Sequence, residues 1–203
     1  MKPLFLIVAF LFTSLAAHAQ PLILPDTFVV TGVAADDTLN VRQQPSGSSA
    51  DIGDLYPNQL VEVIAVSDND QWGQIIWHEG NGWISMRFLA PEPYPQMDDS
   101  VMPIGISCLG NEPFWSATIL RNQMFEFSDI GALPQMRPVQ HSTSALNMPP
   151  YLFAFTAGEF TGVLERAQCF DGMSDITYGW QLRLISTQMS GLVLRNGCCR
   201  VAK

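Results

Sequence analysis

The residues best suited to chemistry are acidic, and they lie in the C-terminal half of the chain. Glu112 with Asp171 or Asp175 has the composition of a glycoside hydrolase pair, in which two carboxylates flank the sugar bond. Structural roles compete with this interpretation. Glu112 could anchor a hydrogen bond ahead of Pro113, and aspartates are frequent turn formers. The acids alone therefore do not indicate an enzyme.

The sequence contains few histidines that could act as a general base. Only His78 and His141 follow the N-terminal apolar segment, and they fall on either side of the domain boundary predicted below. Units of the Ser-His-Asp or Cys-His type need their members within hydrogen-bond reach. His141 also stands in a polar string, residues 140–144, that favours a loop. The sequence predicts a protein that is not an enzyme and uses no cofactor.

Four cysteines form the other reactive group: Cys108, Cys169, Cys198 and Cys199. They lack the Cys-x-x-Cys spacing of zinc and redox sites, so no metal site is predicted and disulfides are expected in an exported protein. A bond between the adjacent cysteines would strain the backbone, whereas neighbours on a strand face opposite sides and can reach different partners. We favour Cys169–Cys198 with Cys108–Cys199, and the crossed pairing is the alternative.

The N-terminus indicates export. Met1-Lys2 is a short basic start, residues 4–15 are apolar, and residues 17–19 supply the small side chains of a cleavage site. The apolar run is too short to span a bilayer stably. We predict a signal peptide over residues 1–19 and a mature protein that begins at Gln20 and has no membrane attachment.

The charge of the chain disfavours two classes of partner. Lysine and arginine number 10 against 19 acidic residues, which gives a formal net charge of −9 at pH 7. An acidic surface repels nucleic-acid phosphates and anionic membrane surfaces. A cationic partner, such as a basic lysozyme, would be attracted instead.

A change in composition marks a boundary between two domains. Residues 90–99 contain three prolines and three acidic residues without apolar periodicity. Proline restricts the chain to extended conformations, so this segment is typical of a semi-rigid linker. We predict a first domain at residues 20–89, a linker at residues 90–103 and a second domain at residues 104–203.

The elements that position these residues are predicted to be β-strands throughout. β-Branched and aromatic runs are separated by turn-forming residues in both domains. The predicted strands cover residues 27–33, 60–66, 72–77, 114–120, 123–127, 152–156, 162–166, 178–184 and 191–194. Alternation assigns a core to the first domain: Leu39, Val41, Leu55, Val61, Val63, Ile75 and Ile84.

The first domain resembles the bacterial SH3-like family over residues 27–89. The matching strings, in family order, are Leu39 to Arg42, Gly53-Asp54-Leu55, Val61-Glu62-Val63, Trp72 with Ile75, and Gly82-Trp83-Ile84. The resemblance implies a small SH3-like barrel that binds cell-wall peptide or a protein partner. Its candidate ligand-binding residues are Tyr56, Trp72, Trp77 and Trp83, because large aromatic side chains are enriched at binding surfaces. A core position is the alternative for each.

The second domain contains three distinctive strings, at residues 108–115, 169–175 and 197–199. They resemble a family of uncharacterised exported bacterial proteins with Gly-x-Glu-Pro-Phe-Trp, Cys-x-Asp-Gly-Met-Ser and Gly-Cys motifs. This family is loosely similar to heat-shock HslJ-like META domains and C-type lysozyme inhibitors, which implies a small antiparallel, disulfide-bonded barrel. The candidate motif residues are Glu112, Trp115, Asp171, Met173 and Asp175.

These observations predict an all-β, periplasmic or secreted bacterial binding protein. Its SH3-like barrel would recruit it to cell-wall peptide or to a periplasmic protein, and the role of the second barrel is left open. The alternative is a lysozyme-type inhibitor or a wall-active hydrolase centred on residues 104–203.

Overall fold

The computed structural model describes residues 22–189 and 191–201, so the predicted signal peptide lies outside the described residues. The described chain is folded into seventeen β-strands and one short 3₁₀-helix, Met86–Phe88. Within it, no helix has the length and apolar character needed to cross a membrane. This architecture confirms the all-β prediction of a small N-terminal β-structure followed by a larger, disulfide-bonded one.

The N-terminal region, residues 22–91, consists of two small antiparallel sheets. Its strands are β1 (Asp26–Val30), β2 (Leu39–Arg42), β3 (Asp51–Leu55), β4 (Leu60–Val63), β5 (Ala65–Val66), β6 (Trp72–Trp77), β7 (Gly80–Ser85) and β8 (Leu89–Pro91). One sheet has the order β4-β1-β8, and the other has the order β3-β2-β7-β6-β5. Six of the seven predicted core residues are buried between these sheets, and Val61 is partly buried against them.

The rest of the fold is a single nine-strand antiparallel sheet that curls into a half-barrel. Its strands are β9 (Ile106–Gly110), β10 (Trp115–Ile119), β11 (Met124–Asp129), β12 (Gln135–Pro138), β13 (His141–Ser144), β14 (Leu152–Ala157), β15 (Phe160–Phe170), β16 (Thr177–Gln188) and β17 (Gly191–Val201). Two meanders, β9–β12 and β13–β17, are joined because β9 pairs with β17. The edge strands β12 and β13 are separated by only two residues, Val139 and Gln140.

Three strands of this sheet differ from the sequence-based expectation. Strand β9 is absent from the predicted strands, although its residues alternate in burial, and the other two are β12 and β13. The predicted polar loop around His141 is strand β13, and β12 was not predicted at all. Both strands lie at sheet edges and carry no fully buried residue. A strand without a buried face has no apolar alternation, so its sequence gives no indication of a strand.

Both disulfides lie in the nine-strand sheet and have the pairing favoured from the sequence. Cys108 on β9 is bonded to Cys199 on β17, and Cys169 on β15 is bonded to Cys198. The segment predicted as a linker also packs here, because it contributes Tyr94, Met97 and Met102 to the buried core of the sheet. The domain boundaries themselves stay a prediction.

Candidate functional site

Two of the four predicted ligand-binding residues share the outer face of the β6–β7 hairpin. Trp83 on β7 pairs with Gln74 on β6 and with Arg42 on β2, and Trp72 pairs with Ser85. The neighbouring positions Ile75 and Ile84 point into the core, so alternation places both tryptophans on the opposite face. Both are partly exposed. We call this face, with Arg42 and Gln74, the aromatic surface.

The other two candidates lie elsewhere in the N-terminal region. Trp77 is partly buried against the core, and its indole Nε1 donates a hydrogen bond to the carbonyl oxygen of Ile52 at 3.0 Å. Its ring covers Gly53 so closely that a Cβ there would come within 3.0 Å of the indole nitrogen. Tyr56 is 68% exposed in the turn between β3 and β4. Trp77 thus has a structural anchoring role, and Tyr56 stands apart from the aromatic surface.

A buried polar cluster connects the N-terminal region to the nine-strand sheet. The Glu62 carboxylate on β4 accepts hydrogen bonds from Tyr94 Oη at 2.6 Å, Trp180 Nε1 at 3.0 Å and the backbone nitrogen of Val201 at 3.1 Å. Burial raises the pKa of Glu62, although these bonds and Arg200 oppose the rise. We call Glu62, Tyr94 and Trp180 the junction cluster.

Arg166 adds a second connection beside the junction cluster. Its guanidinium lies 4.7 Å from the Trp180 ring centre and 5.5 Å from that of Tyr94. It also donates hydrogen bonds to the carbonyl oxygens of Ile23 and Pro25. Burial lowers the pKa of Arg166. This arginine therefore holds the start of the N-terminal region against β15.

A groove of about 460 Å³ runs along the junction. Its walls come from both parts of the molecule: Thr27, Leu55, Gln59, Leu60, Val61, Glu62, Ile75, Ile76, Trp77 and His78 on one side, and Arg121, Arg200 and Val201 on the other. We call it the junction groove. No sequence pattern indicated this groove, because residues from separate predicted domains form it.

A second pocket, of about 350 Å³, brings the three strings of the second domain together. We call it the motif pocket. The Trp115 indole packs on Gly110 and Gly197, where an added Cβ would overlap the ring. Asn111 Nδ2 donates to the carbonyl oxygen of Asp171 at 2.8 Å and joins two of the strings. The glycines of the strings therefore make room for one buried tryptophan.

The candidate motif residues divide into two groups. Glu112, Trp115 and Asp171 line the motif pocket, whereas Met173 and Asp175 are exposed and do not line it. Asp171 Oδ1 accepts hydrogen bonds from the backbone nitrogens of Met173 at 2.9 Å and Ser174 at 2.8 Å. Desolvation alone would raise the pKa of Asp171, but these bonds and others outweigh it and lower that pKa. Asp171 is thus a turn former.

The described residues contain no group of three or more His, Cys, Asp or Glu side chains arranged to hold a metal ion. In that part of the chain, the four cysteines are all used in disulfides.

Comparison with known proteins identifies part of the chain. Residues 37–90 match the family model of the bacterial SH3 domain, and they span β2 to β8 with the aromatic surface. Bacterial SH3 domains are typically cell-wall binding modules. No curated protein and no solved structure matches the chain. The nine-strand sheet is a further β-rich, disulfide-bonded region without a family name.

The matched segment, residues 37–90, begins later than the segment that resembles the family in sequence, residues 27–89. It begins at Asp37, so β1 lies before it, although β1 pairs with both β4 and β8. A bacterial SH3 domain together with two disulfides is consistent with an extracytoplasmic bacterial protein.

Proposed function

We propose that this protein is a periplasmic or secreted, non-enzymatic binding protein whose bacterial SH3 domain recruits it to cell-wall peptide. The aromatic surface is the observation that supports this proposal. Trp72 and Trp83 lie on one exposed face with the polar side chains of Arg42 and Gln74 beside them. Indole rings flanked by hydrogen-bonding groups are suited to a peptide that presents both apolar and polar parts.

The position of the hairpin supports the same assignment. Asn81, at the far end of the hairpin, exchanges hydrogen bonds with the backbone of Thr177 at 2.7 and 3.0 Å. Ile76 packs on the cluster around the Cys169–Cys198 disulfide. The nine-strand sheet therefore supports one end of the hairpin, and Trp72 lies at the other end.

Cosedimentation of the mature protein with purified peptidoglycan tests the proposal. Trp72→Ala and Trp83→Ala should each weaken retention at least about tenfold, as expected for aromatic anchors of an interface. Tyr56→Ala is the matched control, because Tyr56 is an exposed aromatic residue of the same domain away from this surface. Retention of all three variants equal to that of the wild type would contradict the proposal.

Absence of enzymatic activity is part of the proposal. Asp171, one member of the candidate acid pair, accepts three hydrogen bonds within its own turn, and its lowered pKa makes it a poor proton donor. The purified protein should not clear a suspension of cell walls. Clearing that Glu112→Gln abolishes would instead support a hydrolase.

An inhibitory interaction is the second candidate function, and it is centred on the motif pocket. Exposed apolar side chains, those of Leu109, Phe170 and Leu194, line this pocket together with the exposed acid Glu112. An acidic protein with such a patch suits a basic enzyme as its partner. Protection of cell walls from added lysozyme, lost in Phe170→Ser, would support this function, and clearing at the uninhibited rate would contradict it.

A further inference from the structure

We propose that the junction groove binds the carboxyl-terminal end of an extended peptide, with the terminal carboxylate held by Arg121 and Arg200. The aromatic surface is not used in this site, so the proposal stands independently of the function proposed above. Three properties of the groove lead to it: the strand edge that borders it, its apolar walls and its two arginines.

One strand edge borders the groove. Strand β4 is the edge of its sheet, and its residues Leu60, Val61 and Glu62 line the groove. Ile64 N donates to Gln74 O at 2.8 Å, on the side of the strand away from β1. Because backbone groups alternate between the two sides of a strand, those of Leu60 and Glu62 also face away from β1. An extended peptide can pair with such an edge.

The walls of the groove beside the edge of β4 are mainly apolar. They include Leu60, Val61, Ile76 and Trp77, and the volume of about 460 Å³ lies within the range of ligand sites. The hydrogen bond from Trp77 to Ile52 fixes one wall before any ligand binds. Short aliphatic side chains of a peptide would fit these walls better than a strongly hydrated group.

Arg121 and Arg200 set the charge of the groove. Four other arginines lie within 4.0 Å of a carboxylate: Arg42, Arg137, Arg183 and Arg195. Among the described residues, Arg121 and Arg200 form no such ion pair. The acid of the groove, Glu62, already accepts hydrogen bonds on both carboxylate oxygens. The two arginines bring two positive charges to the groove against the one acid Glu62, whose charge Arg200 partly offsets. In a chain of net charge −9, this local excess of positive charge beside apolar walls favours an anionic ligand.

A terminal carboxylate satisfies all three properties at once. Arginine binds carboxylates through two parallel hydrogen bonds, and capture of a peptide terminus is an established way of recognising peptides. A free phosphate ion could bind the arginines, but it would make no contact with the apolar walls and could not pair with the edge of β4. The groove therefore favours a peptide over an inorganic anion.

Nuclear magnetic resonance of the isotope-labelled mature protein tests this site. The probes are acetyl-Ala-Leu-Ala-Ala with a free carboxylate and the same peptide as its C-terminal amide. The free acid should shift the backbone amide signals of Leu60, Glu62 and Ile76 and the indole signal of Trp77. It should bind at least about tenfold more tightly than the amide, as expected from the loss of charge-assisted hydrogen bonds.

Variants distinguish carboxylate binding by the two arginines from binding at the aromatic surface. Arg121→Gln with Arg200→Gln should remove the preference for the acid, while Arg87→Gln, an exposed arginine outside the groove, should keep it. Trp72→Ala should also keep it, so failure of this proposal and failure of peptidoglycan recruitment are distinguishable. Equal binding of acid and amide, no binding of either peptide, or displacement of the peptide by stoichiometric inorganic phosphate would each overturn the proposal.

Discussion

The bacterial SH3 domain and the nine-strand sheet use their large aromatic residues in opposite ways. The sheet buries most of them completely or nearly so, and Phe170 at the end of β15 is an exposed exception. The buried ones include Trp115, Phe125, Phe127, Phe153, Phe155, Phe160 and Trp180. None of the four aromatic candidates in the SH3 domain is fully buried, and its core is made mainly of aliphatic side chains such as Val41, Ile75 and Ile84. Aromatic residues thus pack the sheet and remain accessible for contact in the SH3 domain.

The two parts also differ in covalent support, because both disulfides lie in the nine-strand sheet. The SH3 domain, as far as the structure describes it, contains no disulfide, and it is attached to the sheet through Glu62 and through the hydrogen bonds between Asn81 and Thr177. The difference suggests that the sheet is the stable platform and that the SH3 domain is the contacting part. We expect this division to appear in the effects of substitutions on stability.

Removal of the disulfide that closes the longer loop should have the largest effect. Cys108→Ala with Cys199→Ala opens a loop with a sequence separation of 91 residues, and Cys169→Ala with Cys198→Ala opens one of 29. Chain entropy predicts losses of about 4.5 and about 3.5 kcal/mol in the free energy of unfolding. Urea unfolding without reductant measures both, and the reverse order would show that packing around the cysteines outweighs loop length.

Loss of the Glu62 carboxylate should be next in size. Glu62→Ala leaves Tyr94 Oη, Trp180 Nε1 and the nitrogen of Val201 without their acceptor, which should cost about 3 kcal/mol. Glu79→Ala, an exposed acid of the same domain, is the control and should change stability by less than about 0.5 kcal/mol. Equal effects of the two variants would mean that the two parts are not joined through this cluster.

The pH dependence of stability should report on the same junction. Burial raises the pKa of Glu62 above its ordinary value of 4.5, so the folded protein binds this proton more tightly than the unfolded chain. The resulting stabilisation is complete below pH 4.5 and is lost as the pH rises through the raised pKa. The stability of the wild type relative to Glu62→Gln should therefore fall between pH 4 and pH 7. A relative stability that rises over this range would contradict the raised pKa.

The aromatic surface should contribute least to stability. Trp72→Ala and Trp83→Ala should each lower the free energy of unfolding by about 1–2 kcal/mol, because both side chains are partly exposed. Trp180→Ala, a fully buried residue of the sheet, should cost at least about 3 kcal/mol. Urea unfolding of the three variants measures this contrast, and similar losses would remove the distinction between packing and contact.

Much of the fold could be predicted from local patterns. Alternation located β6 at residues 72–77 and identified a core in which only Val61 is incompletely buried. The opposite faces of Cys198 and Cys199 on one strand predicted that the two cysteines bond to different partners, but they left both pairings with Cys108 and Cys169 open. The polar edge strands β12 and β13 could not be predicted, because one-sided pairing at an edge requires no apolar pattern.

The candidate sites depended on long-range contacts that local patterns do not contain. Glu62 lies in a Val-x-Val string that suggests a surface position, yet its partners Tyr94 and Trp180 are 32 and 118 residues away in sequence. Tyr94 itself lies in a proline-rich segment whose composition indicated a solvated linker. The aromatic candidates were chosen by residue type, and only strand register separated Trp72 and Trp83 from Trp77.

The bond between Cys108 and Cys199 joins β9 and β17, the first and last strands of the nine-strand sheet in chain order, and so closes residues 108–199 into a covalent loop. The exposed segment before β14, which contains Leu146 and Met148, belongs to this closed loop. A protease that cuts there would produce two chains that stay attached, so a nonreducing gel would show one band and a reducing gel two. A single cut in this loop would therefore leave the molecule in one piece.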